Sequence, residues 1–173
     1  MSQSEAQIRF GEVFAPHLAD GYRLARWLLR NRADAEDVVQ DAALRAFRAI
    51  GGYGGGNARA WSLAIVRNAA YALLMKQRSA ALLFAEAEGA EAIANPDGAT
   101  PETALIAKID AARLEAAIAA LALPFREILV LRDIQGLSYR EIAEVTGHAA
   151  GTVMSRLSRA RQQLLARLSD EPT

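Results

Sequence analysis

A short basic stretch near the end of the chain, residues 136–161 (GLSYREIAEVTGHAAGTVMSRLSRAR), has the residue types and spacing of a DNA-binding element. Four arginines and no acidic residue lie between positions 148 and 168. A guanidinium presents a planar fork of donors, so arginine binds phosphate oxygens or a guanine edge with two hydrogen bonds at once. Because the whole chain has 20 basic and 20 acidic residues, this positive charge is local. The stretch therefore predicts a nucleic-acid contact confined to one part of the molecule.

The same stretch predicts two helices joined by a tight turn. Ser138 stands three residues before Glu141, which is the spacing of a capping box, and Gly147 suits the left-handed backbone that ends a helix. The apolar residues of the second helix recur at spacings of three and four, which predicts a buried stripe. They are Val153, Leu157, Ala160, Leu164 and Leu168. A basic face also suits the solvated side of a plain helical bundle, but the capped helix, glycine turn and amphipathic second helix together favour a DNA-reading helix-turn-helix.

Composition predicts an all-α protein made of one domain or two small ones. The chain has 173 residues, of which 52% are hydrophobic and 6% aromatic, and alanine and leucine favour helices. There is no cysteine, and His17 and His148 stand far apart, so no metal and no cofactor are expected. The sequence contains neither a Walker loop nor a nucleophile elbow, so no enzyme activity is expected. Because no apolar run approaches a membrane span and no secretory signal is evident, we expect no membrane insertion and a cytoplasmic protein.

Charge and turn residues divide the chain into three parts. Residues 1–78 hold 11 basic and 7 acidic residues, residues 79–103 hold five acidic and no basic ones, and residues 104–173 hold nine basic and eight acidic ones. The middle part also contains Asn95-Pro96-Asp97-Gly98 and Thr100-Pro101, which are turn signals. We therefore expect two small helical domains joined by an acidic flexible linker, with a short helix over residues 80–92 and Thr100 capping the next helix.

Helices are expected over residues 5–29, 33–50 and 58–77 in the first domain. The first should bend near Pro16 and Gly21. The second should be capped by Asp34 and should turn Val38, Leu44 and Phe47 inward. A loop with five glycines, residues 51–57, separates the second helix from the third, in which Trp61 begins an apolar side and is expected to belong to the core. In the second domain, helices are expected over residues 101–122 and 125–134, ahead of the helix-turn-helix.

With these pieces in order, the chain resembles the extracytoplasmic-function (ECF) sigma factors, small sigma-70-family subunits of bacterial RNA polymerase. Residues 33–41 (ADAEDVVQD) resemble the family's polymerase-docking helix, and Trp61 with residues 65–68 (IVRN) resembles its promoter-melting helix. Residues 123–132, 136–143 and 151–153 resemble its C-terminal DNA-binding domain. The resemblance spans nearly the whole chain. It implies a first domain that melts the minus-ten element, residues 1–78, and a second that reads the minus-thirty-five element, residues 104–173.

The resemblance also implies three sets of site residues. Docking on core RNA polymerase is expected of Asp34, Glu36, Asp37, Gln40 and Asp41. Recognition and melting of the minus-ten element is expected of Tyr53, Asn57, Arg59, Arg67, Asn68 and Tyr71. Contact with the minus-thirty-five element is expected of Thr152, Met154, Ser155, Arg156, Ser158 and Arg159. Plainer roles remain open, because acidic residues in a first turn also complement the helix dipole and a triple glycine also suits a flexible hairpin between helices.

The chain departs from the family pattern at several places, including the entry to the second helix of the helix-turn-helix, residues 148–150, which lacks the usual proline and β-branched residue. A basic residue usually stands at Met154, a larger one often stands at Ser158, and the end of the third helix around Gln77 is less basic than is typical. Lost charge there should weaken phosphate anchoring or alter base preference. The expected partners are core RNA polymerase, promoter DNA and an anti-sigma factor. Two rival functions stay open, namely a sigma-like mimic that binds an anti-sigma factor without initiating transcription, and a stand-alone helix-turn-helix repressor.

Overall fold

The computed structural model describes residues 1–83 and 103–170 of the chain, and this part is all-α, as predicted. The N-terminal half contains α1 (Gln3–Val13), α2 (Leu18–Leu29), α3 (Arg32–Ala49) and α4 (Ala58–Leu83). The C-terminal half contains α5 (Thr103–Ala119), α6 (Leu123–Leu129), α7 (Tyr139–Thr146) and α8 (Ala150–Ser169). Short 3₁₀ turns follow α1 and α3, at Ala15–His17 and Ile50–Gly52, and a π-helical turn, Val130–Ile134, continues α6.

The predicted linker lies mostly outside the described residues. Residues 84–102 include most of the helix expected over residues 80–92, as well as the expected cap Thr100. Helix α4 continues to Leu83, five residues beyond the predicted end of the first domain at residue 78. The domain boundaries at residues 78, 79, 103 and 104 therefore stay predictions.

The N-terminal domain is built from α2, α3 and α4, which pack against one another around buried aliphatic side chains. The largest of these, Leu24, Leu28 and Leu63, have at most 1% of their surface exposed. Gly21 lies inside α2 on this buried side, where an added Cβ would stand 3.0 Å from the Val66 side chain of α4. The glycine therefore lets the two helices approach closely. The predicted break near Pro16 is confirmed, since a 3₁₀ turn separates α1 from α2 there.

Two predictions for α3 are wrong. The helix begins at Arg32 and its cap is Asn31, whose side-chain oxygen accepts a hydrogen bond from the Asp34 backbone N–H at 2.9 Å. Asn31 takes this place because it precedes the helical backbone by one residue, as a cap must, whereas Asp34 already lies in the first turn. Leu44 does not point inward, because 58% of its surface is exposed. Val38 is buried as predicted, and Phe47 stacks edge-on against Phe10.

The helix-turn-helix forms as predicted. Ser138 and Glu141 make a complete capping box at the start of α7, and Gly147 ends that helix at φ +75°. Val153, Leu157 and Ala160 of α8 are buried, while Leu164 and Leu168 are half-buried. The apolar stripe therefore fixes α8 on its domain and leaves the other side of the helix outward.

Replacing either of two glycines in this motif by alanine should change the free energy of unfolding, with opposite signs at the two positions. Gly147→Ala is expected to lower the free energy of unfolding by about 1–2 kcal/mol, since a Cβ is strained in the left-handed region. Gly151→Ala is the matched control, because Gly151 lies in α8 with ordinary φ and no atom within 4 Å of an added Cβ. It should raise that free energy by about 0.5–1 kcal/mol. Urea unfolding of the full chain measures both, and equal signs would contradict the assigned backbone roles.

Candidate nucleic-acid and polymerase interfaces

The polar face of α8 is open to solvent. Met154, Ser155, Ser158 and Arg159 are exposed and Thr152 is half-buried, which accounts for five of the six predicted contact residues. Arg159 makes no hydrogen bond or ion pair within residues 1–83 and 103–170. A free guanidinium on an exposed helix face is available for phosphate or base contact. The structure therefore brings these residues together, while their DNA contacts stay a prediction.

The sixth residue, Arg156, is half-buried beside His148 in the turn before the helix. One guanidinium nitrogen of Arg156 lies 2.9 Å from Nε2 of His148. Burial, and next the charge of Arg156, lower the pKa of His148, so the imidazole is neutral at physiological pH and can accept this hydrogen bond. His148 thus holds Arg156 near the start of α8.

Arg161 is engaged within the protein. Its guanidinium donates two hydrogen bonds to the Asp133 carboxylate, at 3.0 and 2.6 Å. This pair joins α8 to the turn after α6. Arg161 is therefore a brace for the recognition helix, and Arg159 is the freer of the two arginines.

The predicted docking residues form an outward face of α3. Glu36, Asp37, Gln40 and Asp41 are exposed, and Asp34 is half-buried. Three of them have local partners: Asp34 accepts from Gln77 at 2.9 Å, Glu36 pairs with Arg32, and Asp41 pairs with Arg45. Asp37 and Gln40 have none within the described parts of the chain. The two unpaired side chains are therefore the best placed to meet another protein.

Leu44 lies on the same outward face of α3 as the predicted docking residues, although sequence analysis expected it to point inward. It follows Gln40 by four residues and Asp37 by seven, so all three lie along one side of α3. A mostly exposed leucine adds apolar surface to this otherwise polar face. The sequence pattern that could have placed Leu44 on this face is its helical spacing from Asp37 and Gln40. Helical spacing alone is compatible with an outward as well as an inward leucine.

The glycine-rich loop holds Tyr53 in place. Its hydroxyl donates to the Gly56 carbonyl at 2.8 Å, and its ring lies 5.1 Å from the half-buried ring of Trp61. Gly55 and Gly56 have φ of +99° and +94°, which glycine adopts without strain. Trp61 packs against the core, as predicted, so Tyr53 is the aromatic ring that this loop presents.

Four of the six predicted minus-ten residues contact the C-terminal domain in this structure. Arg67 of α4 donates to both oxygens of Glu127 in α6, at 2.5 and 3.4 Å, and the Tyr71 hydroxyl donates to the same carboxylate at 2.7 Å. The Glu127 side chain is 0% exposed and that of Arg67 is 15% exposed. Burial, and next the Glu127 charge, raise the pKa of Tyr71, so its phenol stays protonated as a donor. The three groups form a buried cluster between the domains.

A second set of contacts lies at the start of α4. Arg59 donates to Asp20 of α2 at 3.0 Å and to the Gln135 backbone carbonyl at 2.7 Å. Asn57 caps α4 through its side-chain oxygen and donates through its amide nitrogen to Glu141 of α7 at 2.8 Å. Hydrogen bonds from the Ser138 backbone and then from Asn57 lower the pKa of Glu141. Of the six residues, only Asn68 and Tyr53 have no hydrogen bond to the C-terminal domain within the described chain.

Arg126 adds a buried link that sequence analysis did not foresee. It donates to the carbonyls of Ala119 and Leu121 within its own domain, and to that of Leu28 in the last turn of α2 at 3.1 Å. A cation suits the end of a helix, where carbonyls lack partners. The available signal for Arg126 and Glu127 was a charged pair inside the apolar run of residues 125–131 (FREILVL).

The described residues offer neither a metal-binding cluster nor a membrane-spanning helix. No group of three or more His, Asp or Glu side chains there is close enough to hold a metal ion. None of the helices in residues 1–83 and 103–170 is long and apolar enough to cross a membrane.

Two family descriptions match the chain, in the order that the motifs suggest. Residues 13–80 match Sigma-70 region 2, and residues 111–164 match Sigma-70, region 4. SigM of Mycobacterium tuberculosis, an ECF RNA polymerase sigma factor, is 36% identical over 156 residues, covering 90% of this chain and 74% of that protein. CnrH of Cupriavidus metallidurans, an RNA polymerase sigma factor, is 32% identical over 94% of this chain and 87% of CnrH. SigE of Mycolicibacterium smegmatis is 36% identical, but the match spans only 63% of that longer ECF sigma factor.

Solved structures of sigma factors superpose on most of this chain. The sigma factor RpoE of Bartonella quintana, crystallised with the anti-sigma factor NepR, superposes with a TM-score of 0.76 at 26% identity over 91% of this chain and 95% of RpoE. CnrH in complex with the cytosolic domain of CnrY superposes with a TM-score of 0.68, also at 26% identity, over 98% of this chain and 96% of CnrH.

Proposed function

The chain belongs to the ECF sigma factors of the sigma-70 family, which direct RNA polymerase to promoters, and from this premise we propose how its surfaces divide that work. The exposed face of α3 docks on core RNA polymerase. The face of α4 with the glycine-rich loop captures the minus-ten element and helps to open it. The outward face of α8 reads the minus-thirty-five element, and the chain itself performs no catalysis.

The observation that carries this proposal is the recognition helix. Its buried stripe fixes α8 on the domain, and the opposite face presents exposed polar side chains together with the unpaired Arg159. A helix of this kind enters the major groove with its polar side toward the base edges. Met154 on the same face supplies no charge, so phosphate anchoring there depends on arginine.

Run-off transcription tests the function directly. Purified core RNA polymerase would be incubated with genomic fragments, with and without this protein. Discrete new transcripts are expected, and their start sites would locate both promoter elements. Core binding without any transcript from a fragment set that covers the genome would favour the sigma-like mimic, and operator binding without polymerase would favour the repressor.

Asn68 gives a residue-level test of the minus-ten surface. It is exposed on α4, and its side-chain amide offers a base edge both an acceptor oxygen and an N–H donor. Asn68→Ala should reduce promoter opening about tenfold, which corresponds to the loss of one base-edge contact. Permanganate reactivity of promoter thymines measures the opening. Ser79→Ala is the matched control, because Ser79 lies exposed on the same side of α4 three turns later and should leave opening unchanged.

An anti-sigma factor is a further proposed partner. RpoE of Bartonella quintana, which superposes over most of this chain, was crystallised with the anti-sigma factor NepR. We infer that a protein of that class binds this chain and controls its access to core polymerase. Co-purification of a protein with the tagged chain, followed by loss of run-off transcription when that protein is added back, would support the inference.

A further inference from the structure

We propose that Arg9 of α1 is a positioning residue for the glycine-rich loop, residues 51–57, and that it fixes the place of Tyr53 before promoter DNA binds. The inference rests on the proposed function, because it takes this loop to be part of the minus-ten surface. It deepens that function by adding a helix from outside the family match. The match to Sigma-70 region 2 begins at residue 13, and all of α1 except its last residue precedes that point.

Arg9 holds Tyr53 both by its backbone and by its ring. The guanidinium donates a hydrogen bond to the Tyr53 backbone carbonyl, and its central carbon lies over the Tyr53 ring, 5.7 Å from the ring centroid. A cation within about 6 Å of an aromatic face is attracted by the ring quadrupole. Arg9 is half-buried, so both contacts are partly shielded from water. One arginine therefore restrains the loop at the residue that carries its aromatic ring.

The loop requires such a restraint because it is rich in glycine. Three glycines, residues 54–56, follow Tyr53 directly, and two of them have positive φ. Glycine loses more conformational freedom on ordering than any other residue, so this loop is costly to hold in one conformation. The Tyr53 hydroxyl closes the loop on the carbonyl of the third glycine. Arg9 then ties the closed loop to α1, and Trp61 ties it to α4, with 5.1 Å between the two ring centroids.

Helix α1 is itself anchored beside the loop. Phe10 stacks on Phe14 with 5.2 Å between ring centroids and meets Phe47 edge-on at 5.7 Å. Phe47 lies in the last turn of α3, six residues before Tyr53, so this aromatic cluster holds α1 where the loop begins. Arg9 is next to Phe10 in the chain and reaches the loop from that anchor.

Core packing explains α1 poorly. The helix lies wholly within the described residues, and none of its 11 residues is buried. An isolated helix of this length is marginal in water. A capping box helps it to form, since the Glu5 N–H donates to Ser2 Oγ at 3.2 Å and the Ser2 N–H donates to Glu5 Oε2 at 2.6 Å. A capped surface helix that buries no side chain gains little from removal of apolar surface from water, whereas support of the loop gives it a role.

A loop that is already positioned binds DNA with a smaller loss of conformational entropy. Holding a binding segment in its bound conformation raises affinity mainly by lowering this cost. Held by Arg9, the Tyr53 ring keeps its place against Trp61 whether or not DNA is present. Promoter opening should therefore depend on Arg9 although its guanidinium is occupied by the protein and not by a phosphate.

Trp61 fluorescence tests the position of Tyr53 without promoter or polymerase. The chain has two tryptophans, so Trp27→Phe leaves Trp61, which lies against Tyr53, as the single one. Arg9→Met, added to Trp27→Phe, keeps the apolar stem and removes the donors and the charge. It should roughly double the acrylamide quenching of Trp61, because the loop moves away from the indole more often.

Arg48→Met is the matched control for loss of one positive charge. Arg48 is exposed one turn before the loop and has no hydrogen bond or ion pair within residues 1–83 and 103–170. The same arginine-to-methionine change at this position should leave both Trp61 quenching and promoter opening as they are in the parent protein.

Promoter opening is the second measurement. On a promoter located by run-off transcription, Arg9→Met should lower the permanganate reactivity of minus-ten thymines about tenfold, as expected for loss of one hydrogen bond from a charged group. Affinity for core polymerase should not change, because Arg9 lies outside α3. The preference for the native minus-ten sequence over one with a substituted base should also narrow severalfold. A general loss of stability would instead lower opening equally on both sequences.

Unchanged Trp61 quenching in Arg9→Met would overturn the proposal, whatever happens to opening. If opening falls nonetheless and the salt slope of promoter binding falls by about one, Arg9 is a phosphate contact. Raised quenching with wild-type opening would also overturn it, because the position of Tyr53 would then be irrelevant to the promoter.

Circular dichroism checks that Arg9→Met keeps its helices. If it does not, Arg9→Lys decides by the same two measurements, since lysine keeps the charge but lacks the planar fork; smaller changes in the same directions are expected, and unchanged values would overturn the proposal. Because quenching requires no promoter, the two proposals fail separately. No transcript from the wild-type chain would remove the proposed function, whereas transcripts together with unchanged quenching would remove only the positioning role.

Discussion

Replacing Asp37 and Gln40 by lysine together is expected to lower the affinity for core RNA polymerase about a hundredfold and to abolish run-off transcription. Both side chains are exposed on α3 and have no partner within the described residues, so the change spares the intramolecular contacts that the structure describes. By resemblance the polymerase surface opposite is basic. Like charges brought together at an interface cost several kcal/mol, and each 1.4 kcal/mol is a factor of ten in affinity.

A matched pair on α1 controls for net charge. Glu12→Lys with Gln3→Lys makes the same two kinds of change at exposed positions outside α3, and it should leave core affinity within about twofold. Leu44→Ala tests the apolar extension of the docking face, with an expected loss of about tenfold for one buried leucine. Fluorescence titration of labelled protein with core measures all three. Equal losses in the two double variants would show that total charge, and not this face, sets the affinity.

Arg159→Ala should reduce promoter-dependent initiation between tenfold and a hundredfold while core affinity stays unchanged. A good arginine–base contact accounts for about 1–3 kcal/mol of discrimination, which corresponds to this range. Arg159 is the predicted contact residue whose guanidinium is exposed and unpaired within the described chain, whereas Arg156 is held by His148. Run-off yield at limiting protein and a separate core titration measure the two effects.

Salt dependence and promoter variants distinguish the kind of contact. If Arg159 binds a base, Arg159→Ala should relax the preference for the native minus-thirty-five sequence; if it binds a phosphate, all sequences should weaken equally and the salt slope should fall by about one. Arg167→Ala is the control, since Arg167 is exposed on α8 two turns further from the start of the helix. Loss of core affinity in Arg159→Ala would contradict its assignment to DNA.

Features set by residues close together in sequence were predictable. The capping box of Ser138 and Glu141, the left-handed Gly147 and the break at Pro16 each depend on interactions within about four residues, and each is confirmed. The buried stripe of α8 was also predictable, because apolar residues on one side of an amphipathic helix must be removed from water wherever the rest of the chain lies.

Leu44 shows where such reasoning ends. Its spacing from Val38 and Phe47 suits a helix face, but periodicity does not say how wide the buried stripe is or where its edge falls. The partners α2 and α4 cover the Val38 side of α3 and leave Leu44 outside. The outcome depends on how three helices pack, which no local pattern contains.

What the sequence by itself determined is the all-α class, the helix-turn-helix, the acidic outward face of α3 and the family to which the chain belongs. What only the tertiary structure decided is which parts are accessible. Arg67 and Glu127 are 60 residues apart, and neither carries a local signal for the other. Their pairing depends on how the two helical domains pack together. A buried charge is stabilised only by an oppositely charged group that the fold places beside it.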